Sequence, residues 1–206
     1  MENNNEKNHF FIGNIFNNIN QIRLLRNIQK KIKNKYSLKG YHYNNRFYAN
    51  LIYIGYFDNE TAKLYMNNII NSLLTAISNN INILECNYTN FKITYDKSYY
   101  KISLNFDDEN NILKKIIIPY LFNEAIQPIY HQRKNVYSPN IDLIYYKNSD
   151  KLVSTKNKIN IQIPNDTFTI DHISLIKGTS VRVRSGLPSL HDQMNLEEVN
   201  RFNLKN

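Results

Sequence analysis

The 206-residue chain carries one cysteine, Cys86, with five glycines, five prolines and no tryptophan. A lone thiol cannot close an internal disulfide, and a cysteine-based zinc module is excluded. So few glycines and prolines leave no flexible or proline-rich linker, and collagen-like and disulfide-scaffold classes fall away. No apolar run reaches the roughly 18 residues of a membrane-spanning helix. The opening MENNNEKNHFF lacks a basic stretch followed by an apolar one, so no signal peptide is expected. The expected setting is intracellular and cytoplasmic, away from membranes. The phosphate-loop, dinucleotide-fold, nucleophile-elbow and H-E-x-x-H strings are all missing. Neither a metal nor an organic cofactor is expected.

What is present suits a globular protein: 42% of residues are hydrophobic and 21% are charged. A chain of this length buries roughly 70% of its unfolded surface, enough to fold without staples. The formal charge of +9 and the pI of about 9.4 favour polyanionic partners, RNA or nucleotide phosphates among them. Asn, Ile, Lys and Tyr are all abundant and all have A/T-rich codons, so part of the lysine excess is compositional. Residues 1–8 read as a flexible polar tail, 9–187 as one domain and 188–206 as a C-terminal extension.

Along the chain, strand and helix patterns alternate. HFFIGNI from His9 is short and apolar, as a buried strand is. Ile22, Leu25, Ile28 and Ile32 make an apolar stripe on a helix over 18–35, with Arg23, Arg26, Lys30 and Lys33 on another stripe. A strand is expected from Phe47 to Tyr56 and a helix after an Asp58 or Asn59 cap. A hairpin is expected around Asp96-Lys97-Ser98. A helix capped by Asp107 or Asp108 should end or kink at Pro119. Tyr137–Tyr146 reads as a strand, as do 159–163 and Phe168–Ile176; the tail from Pro188 is weakly helical. The order points to an α+β domain with antiparallel hairpins.

In order and spacing, these segments resemble the 2H phosphoesterase superfamily (LigT-like, 2′-5′ RNA ligase or cyclic phosphodiesterase-like proteins). HFFIGNI is similar to its first strand. FYANLIYIGYFDNETA is similar to its first motif strand, H-x-T-L-x-F-L-G before an acidic turn and helix. SYYKISLNF resembles its middle strand, YSPNIDLIYY its second motif strand, P-H-x-[TS]-L, and FTIDHISLIKG its last. The resemblance covers residues 9 to 178. It implies a bilobed fold, with two antiparallel sheets flanked by helices around a central cleft. It also implies metal-independent chemistry by two histidines, one a general base and the other a general acid, with the hydroxyl two residues on holding the phosphate.

The sequence departs from that pattern where the chemistry would sit. The first motif reads Tyr48-Ala49-Asn50 and the second Asn140-Ile141-Asp142. Neither asparagine nor a neutral tyrosine, which titrates near ~10, shuttles protons near pH 7. Tyr48, Asn50, Asn140 and Asp142 remain polar and are candidate ligand-binding residues, with Arg133, Arg182 and Arg184 as charge for phosphates. The string His172-Ile173-Ser174 is a weak catalytic candidate, as are His42 and His131 in loops ahead of the motif strands. The leading expectation is a degenerate 2H-like module that binds RNA, nucleotides or a ribonucleoprotein. The alternatives are an active 2′,3′-cyclic or 2′-5′ phosphodiesterase with a rearranged catalytic set, and a structural subunit of a large assembly.

Overall fold

The computed structural model describes residues 7–43, 46–58, 60, 71–96, 99–108, 111–121, 137–147, 152, 159–181 and 193–205. Its strands are β1 (Lys7–Ile15), β2 (His42–Tyr43), β3 (Tyr48–Asp58), β4 (Leu84–Asp96), β5 (Tyr99–Asp108), β6 (Tyr137–Tyr146), β7 (Thr167–Ile170), β8 (His172–Val181) and β9 (Gln193–Asn203). Its helices are α1 (Ile19–Tyr36), α2 (Asn71–Asn80) and α3 (Ile112–Leu121). The strands pair antiparallel in one sheet, ordered β7-β4-β5-β6-β3-β1-β8-β9, with β2 added beside β6.

Two separate sheets were the expectation; among the described residues there is one. Its middle join, β3 to β6, is held by the pairs Asn50↔Asn140 and Ile52↔Tyr137. The stretch expected as one strand over Phe168–Ile176 is broken at Asp171. β7 pairs with β4 at one end of the sheet, whereas β8 pairs with β1 near the other. One residue bridges β7 and β8, so the sheet must curl until its ends approach. The seam is tied again where Leu204 N donates to Asp171 O at 2.8 Å and Ile83 N to Lys205 O at 2.8 Å.

The two faces differ. One carries the main core, which includes Phe10, Ile12, Leu51, Ile102, Leu104, Ile141, Leu143, Ile173 and Leu175. All three helices feed it: Leu25, Ile28 and Ile32 from α1, Leu74 and Ile77 from α2, Leu113 from α3. Gln29 lies buried under α1 and donates to Leu143 O at 2.7 Å, which fastens the helix over β6. Asn18 caps α1, its side chain accepting from Asn20 N at 2.9 Å. Asp108 is buried and accepts from Leu113 N at 3.2 Å, so it opens α3 as expected. The second face holds a small cluster of Phe11, Ile15, Tyr48, Ile176 and Leu196, with no helical member.

Three local expectations need correction. Residues 159–163 form no strand; Ile159, Ile161 and Ile163 pack on the core without a ladder partner. α3 continues to Leu121, two residues past Pro119, which falls in its last turn. The tail, read as weakly helical, supplies β9, because the exposed edge of β8 offers a full row of backbone partners.

Candidate functional site

Strand alternation sets which side chains share the second face. Directly paired antiparallel residues point the same way. The pairings Ser174↔Gly13, Gly13↔Asn50, Asn50↔Asn140 and Asn140↔Asn105 therefore lay one row across β8, β1, β3, β6 and β5. Asn50 and Asn140 meet at its centre. The same antiparallel register sets Tyr48 beside Asp142. Thus the four residues taken from the two motif strands come together as neighbours on the second face, at the join of the sheet. Gly13 is required there: a Cβ on it would lie 2.2 Å from Ala49 O.

Tyr48 is buried, and its phenol is pushed well above the ordinary tyrosine range, first by loss of water and then by the nearby charge of Asp142. It is a neutral hydroxyl, without base or acid function near pH 7. Asp142 is also buried, and among the described residues its carboxylate is held by side chains of β5 and β6. Lys101 Nζ lies 3.1 Å from Oδ1, Ser103 Oγ donates to Oδ1 at 2.8 Å, and Tyr145 OH donates to Oδ2 at 3.0 Å. Sequence reasoning missed Lys101, Ser103 and Tyr145. The alternation of β5 placed Lys101 and Ser103 on one face, but only the register of β5 against β6 shows that the face is Asp142's.

The amides beside this carboxylate present acceptors. Asn50 Oδ1 and Asn105 Oδ1 are buried and lack a hydrogen-bond partner among the described residues. The orientation of Asn105 is fixed by its neighbours. Asn90 Nδ2 donates to Phe91 O at 3.3 Å and Thr89 Oγ1 donates to Asn90 Oδ1 at 3.1 Å, so Asn105 Nδ2 is left to donate to Asn90 Oδ1 at 3.4 Å.

The H-x-S string lies on the same face, in the row that runs from Ser174 through Gly13 to Asn50, but it is enclosed. His172 and Ser174 are 2% and 0% exposed, which denies them to a substrate. His172 Nδ1 lies 2.5 Å from Asp171 Oδ1, and Nε2 lies 3.0 Å from Glu198 Oε1. Ser174 Oγ donates to the same Glu198 oxygen at 3.1 Å, and Asn14 Nδ2 donates to His172 O at 2.9 Å. This network clasps β1, β8 and β9 beside the seam at Asp171. Burial alone would raise the Asp171 carboxyl, but hydrogen bonds from His172 and Asn14 and the charge of His172 outweigh it and hold it below the usual range.

His42 sits in β2 opposite Tyr145; its side chain, and all of His131, Arg133, Arg182 and Arg184, lie outside the described residues. On α1, Arg23, Arg26 and Lys30 are exposed, and Lys33 Nζ sits 5.3 Å over the Tyr41 ring. A groove of about 570 Å³ between α1 and residues 162–166 is bordered by Lys30, Lys31, Asn27 and Asn34. Among the described residues, no helix is long and apolar enough to cross a membrane and no cluster of metal-ligating side chains occurs.

The architecture is that of a known class: the chain has a LigT-like fold. It superposes on TT0787 of Thermus thermophilus with a TM-score of 0.63 and 11% identity, over 96% of this chain and 98% of that one. For E. coli LigT complexed with 3′-AMP the TM-score is 0.57 at 12% identity, over 98% and 100% of the two chains. For LigT complexed with ATP it is 0.52 at 12% identity, over 98% and 99%. No family model and no curated protein sequence matches the chain.

Proposed function

We propose that this protein is a catalytically degenerate 2H-like module that binds RNA or nucleotides. The two halves of its sheet serve as the two lobes, and the face around Asn50 and Asn140 is the shared cleft. One observation carries the reading. The motif positions meet, yet the groups that meet there are a neutral phenol, two amides and a carboxylate held by a lysine and two hydroxyls. A carboxylate can accept a proton, but the phenol and the amides beside it offer no acid to complete a pair. His172, the only histidine in an intact H-x-S string, is spent on the clasp.

Binding is supported by two features. The net charge of +9 and the exposed cations of α1 suit a polyanion. LigT, which shares the fold, is known complexed with 3′-AMP and with ATP. A pair of assays tests the reading. Purified protein at high concentration should give no turnover of 2′,3′-cyclic nucleotides or of 2′-5′ oligoadenylate. Short RNA should bind at low salt and be lost steeply as salt rises. Turnover that disappears in His172→Ala would replace the reading with an active phosphodiesterase. Failure to bind RNA even at low salt would leave a structural subunit.

A further inference from the structure

A trough runs along the outer side of α1, on the core-bearing side of the sheet. Three hollows of about 510, 570 and 720 Å³ lie end to end between the helix and residues 160–169. Asn27 and Asp166 border both the first and the second; Lys31, Asn34 and Gln162 border both the second and the third. Asn20, Asn27 and Asn34 are exposed and stand seven residues apart along these hollows. They form nearly one line, with a drift of only ~20° per repeat. At 1.5 Å per residue the line spans about 21 Å.

Cations flank the amides. Arg23 follows Asn20 by three residues and Lys30 follows Asn27 by three, which sets each beside its amide one turn on. Arg23, Lys30 and Lys31 are exposed and enter no ion pair among the described residues. Asp166 is the one carboxylate on the described walls. At the far end Lys35 Nζ donates to Asn160 O and bridges the two walls. A side-chain amide both donates and accepts, as a ribose hydroxyl does; an ammonium or guanidinium only donates and suits a phosphate.

We infer that this trough seats a single RNA strand, its phosphates on Arg23, Lys30 and Lys31 and its 2′-hydroxyls on the row Asn20, Asn27 and Asn34. The inference rests on the proposed RNA partner and on nothing in the cleft. The walls set the ligand class. A row of cations alone would hold DNA equally well, whereas the amides give the 2′-hydroxyl a partner that DNA leaves unused. Phe168, the one aromatic residue on the described walls, is buried, so base stacking adds little and binding is largely independent of sequence.

The test is fluorescence anisotropy of a short labelled RNA, and of DNA of the same sequence, across a salt series. The wild type should hold RNA about tenfold more tightly than DNA, the effect of two or three net hydrogen bonds. Asn20→Ala, Asn27→Ala and Asn34→Ala together touch exposed helix positions and favour the helix, so the variant should fold. Its RNA preference should fall to near unity while its salt slope stays, because the cations remain. Lys31→Glu should weaken RNA and DNA alike and reduce the slope by about 0.7. Lys115→Glu, an equal change of charge at an exposed position of α3, should leave both nearly unchanged. Equal affinity of the wild type for RNA and DNA, a preference that survives the alanine variant, or equal effects of Lys31→Glu and Lys115→Glu overturns the inference. Loss of the parent reading looks different. Turnover of 2′,3′-cyclic nucleotides by a protein that still prefers RNA through its asparagine row would end the degenerate reading and leave the trough in place.

Discussion

Asp171 and Asp142 are both carboxylates on the sheet, yet their neighbours give them opposite tasks. Asp142 is enclosed and neutralised by donors from β5 and β6. Asp171 sits on the seam, its carboxylate largely exposed, and hands its charge to buried His172. Because the folded-state value of Asp171 is depressed below the ordinary ~3.9 of an unfolded chain, its contribution is present above that pH. It is lost as pH falls through the lower, folded value. Asp171→Asn should therefore lower the unfolding midpoint at pH 6, and the difference from the wild type should shrink as the pH falls through the folded value. The acid limb of the stability curve should be shallower in the variant than in the wild type. Chemical denaturation across that pH range reads this out, and an unchanged acid limb would remove His172 from the clasp.

Elements show where local pattern suffices and where it does not. The 3.6-residue period of Ile22, Leu25, Ile28 and Ile32 placed α1 within a residue of its observed span, with Asn18 as cap. Period-2 alternation found both arms of the β4–β5 hairpin, and the resemblance of the two motif strands put Tyr48, Asn50, Asn140 and Asp142 on one face; that Asn50 pairs with Asn140 is seen only in the register of β3 against β6. Pairing between distant strands was not legible. Asp171 breaks an unbroken apolar pattern because β7 and β8 answer to partners at opposite ends of the sheet. The H-x-S string looks reactive in one dimension, and only β9, which brings Glu198, turns it into a buried clasp. Gly13 gave no local signal either, since its reason is Ala49 on the neighbouring strand. A Cβ at that position would collide with a backbone carbonyl that cannot step aside. Gly13→Ala should cost about 2–3 kcal/mol and loosen the pairing of β1 with β3. Equilibrium unfolding with amide exchange at Asn50 and Ile52 measures both. A neutral result would mean that the strands tolerate a wider separation at the centre of the site.

Among the described residues, the cations of α1 lie on the face opposite the candidate cleft. The second face neutralises its own anion, while α1 packs on the opposite, core-bearing face and carries Arg23, Arg26, Lys30, Lys31, Lys33 and Lys35 without one acidic residue in its span. On the proposed reading, the phosphates of an RNA are met by the cations of α1. Phosphate contacts release counterions and therefore depend on salt. Reversing Arg23, Arg26 and Lys30 together to glutamate touches only exposed positions, so the fold should survive. For single-stranded RNA each lost phosphate contact should reduce the salt slope by about 0.7, and three should weaken binding at least about tenfold at low salt. Fluorescence anisotropy of a short labelled RNA across a salt series reads both the slope and the affinity. If the triple variant keeps both its slope and its affinity, the helix is a solvated face and the charge that meets RNA lies elsewhere.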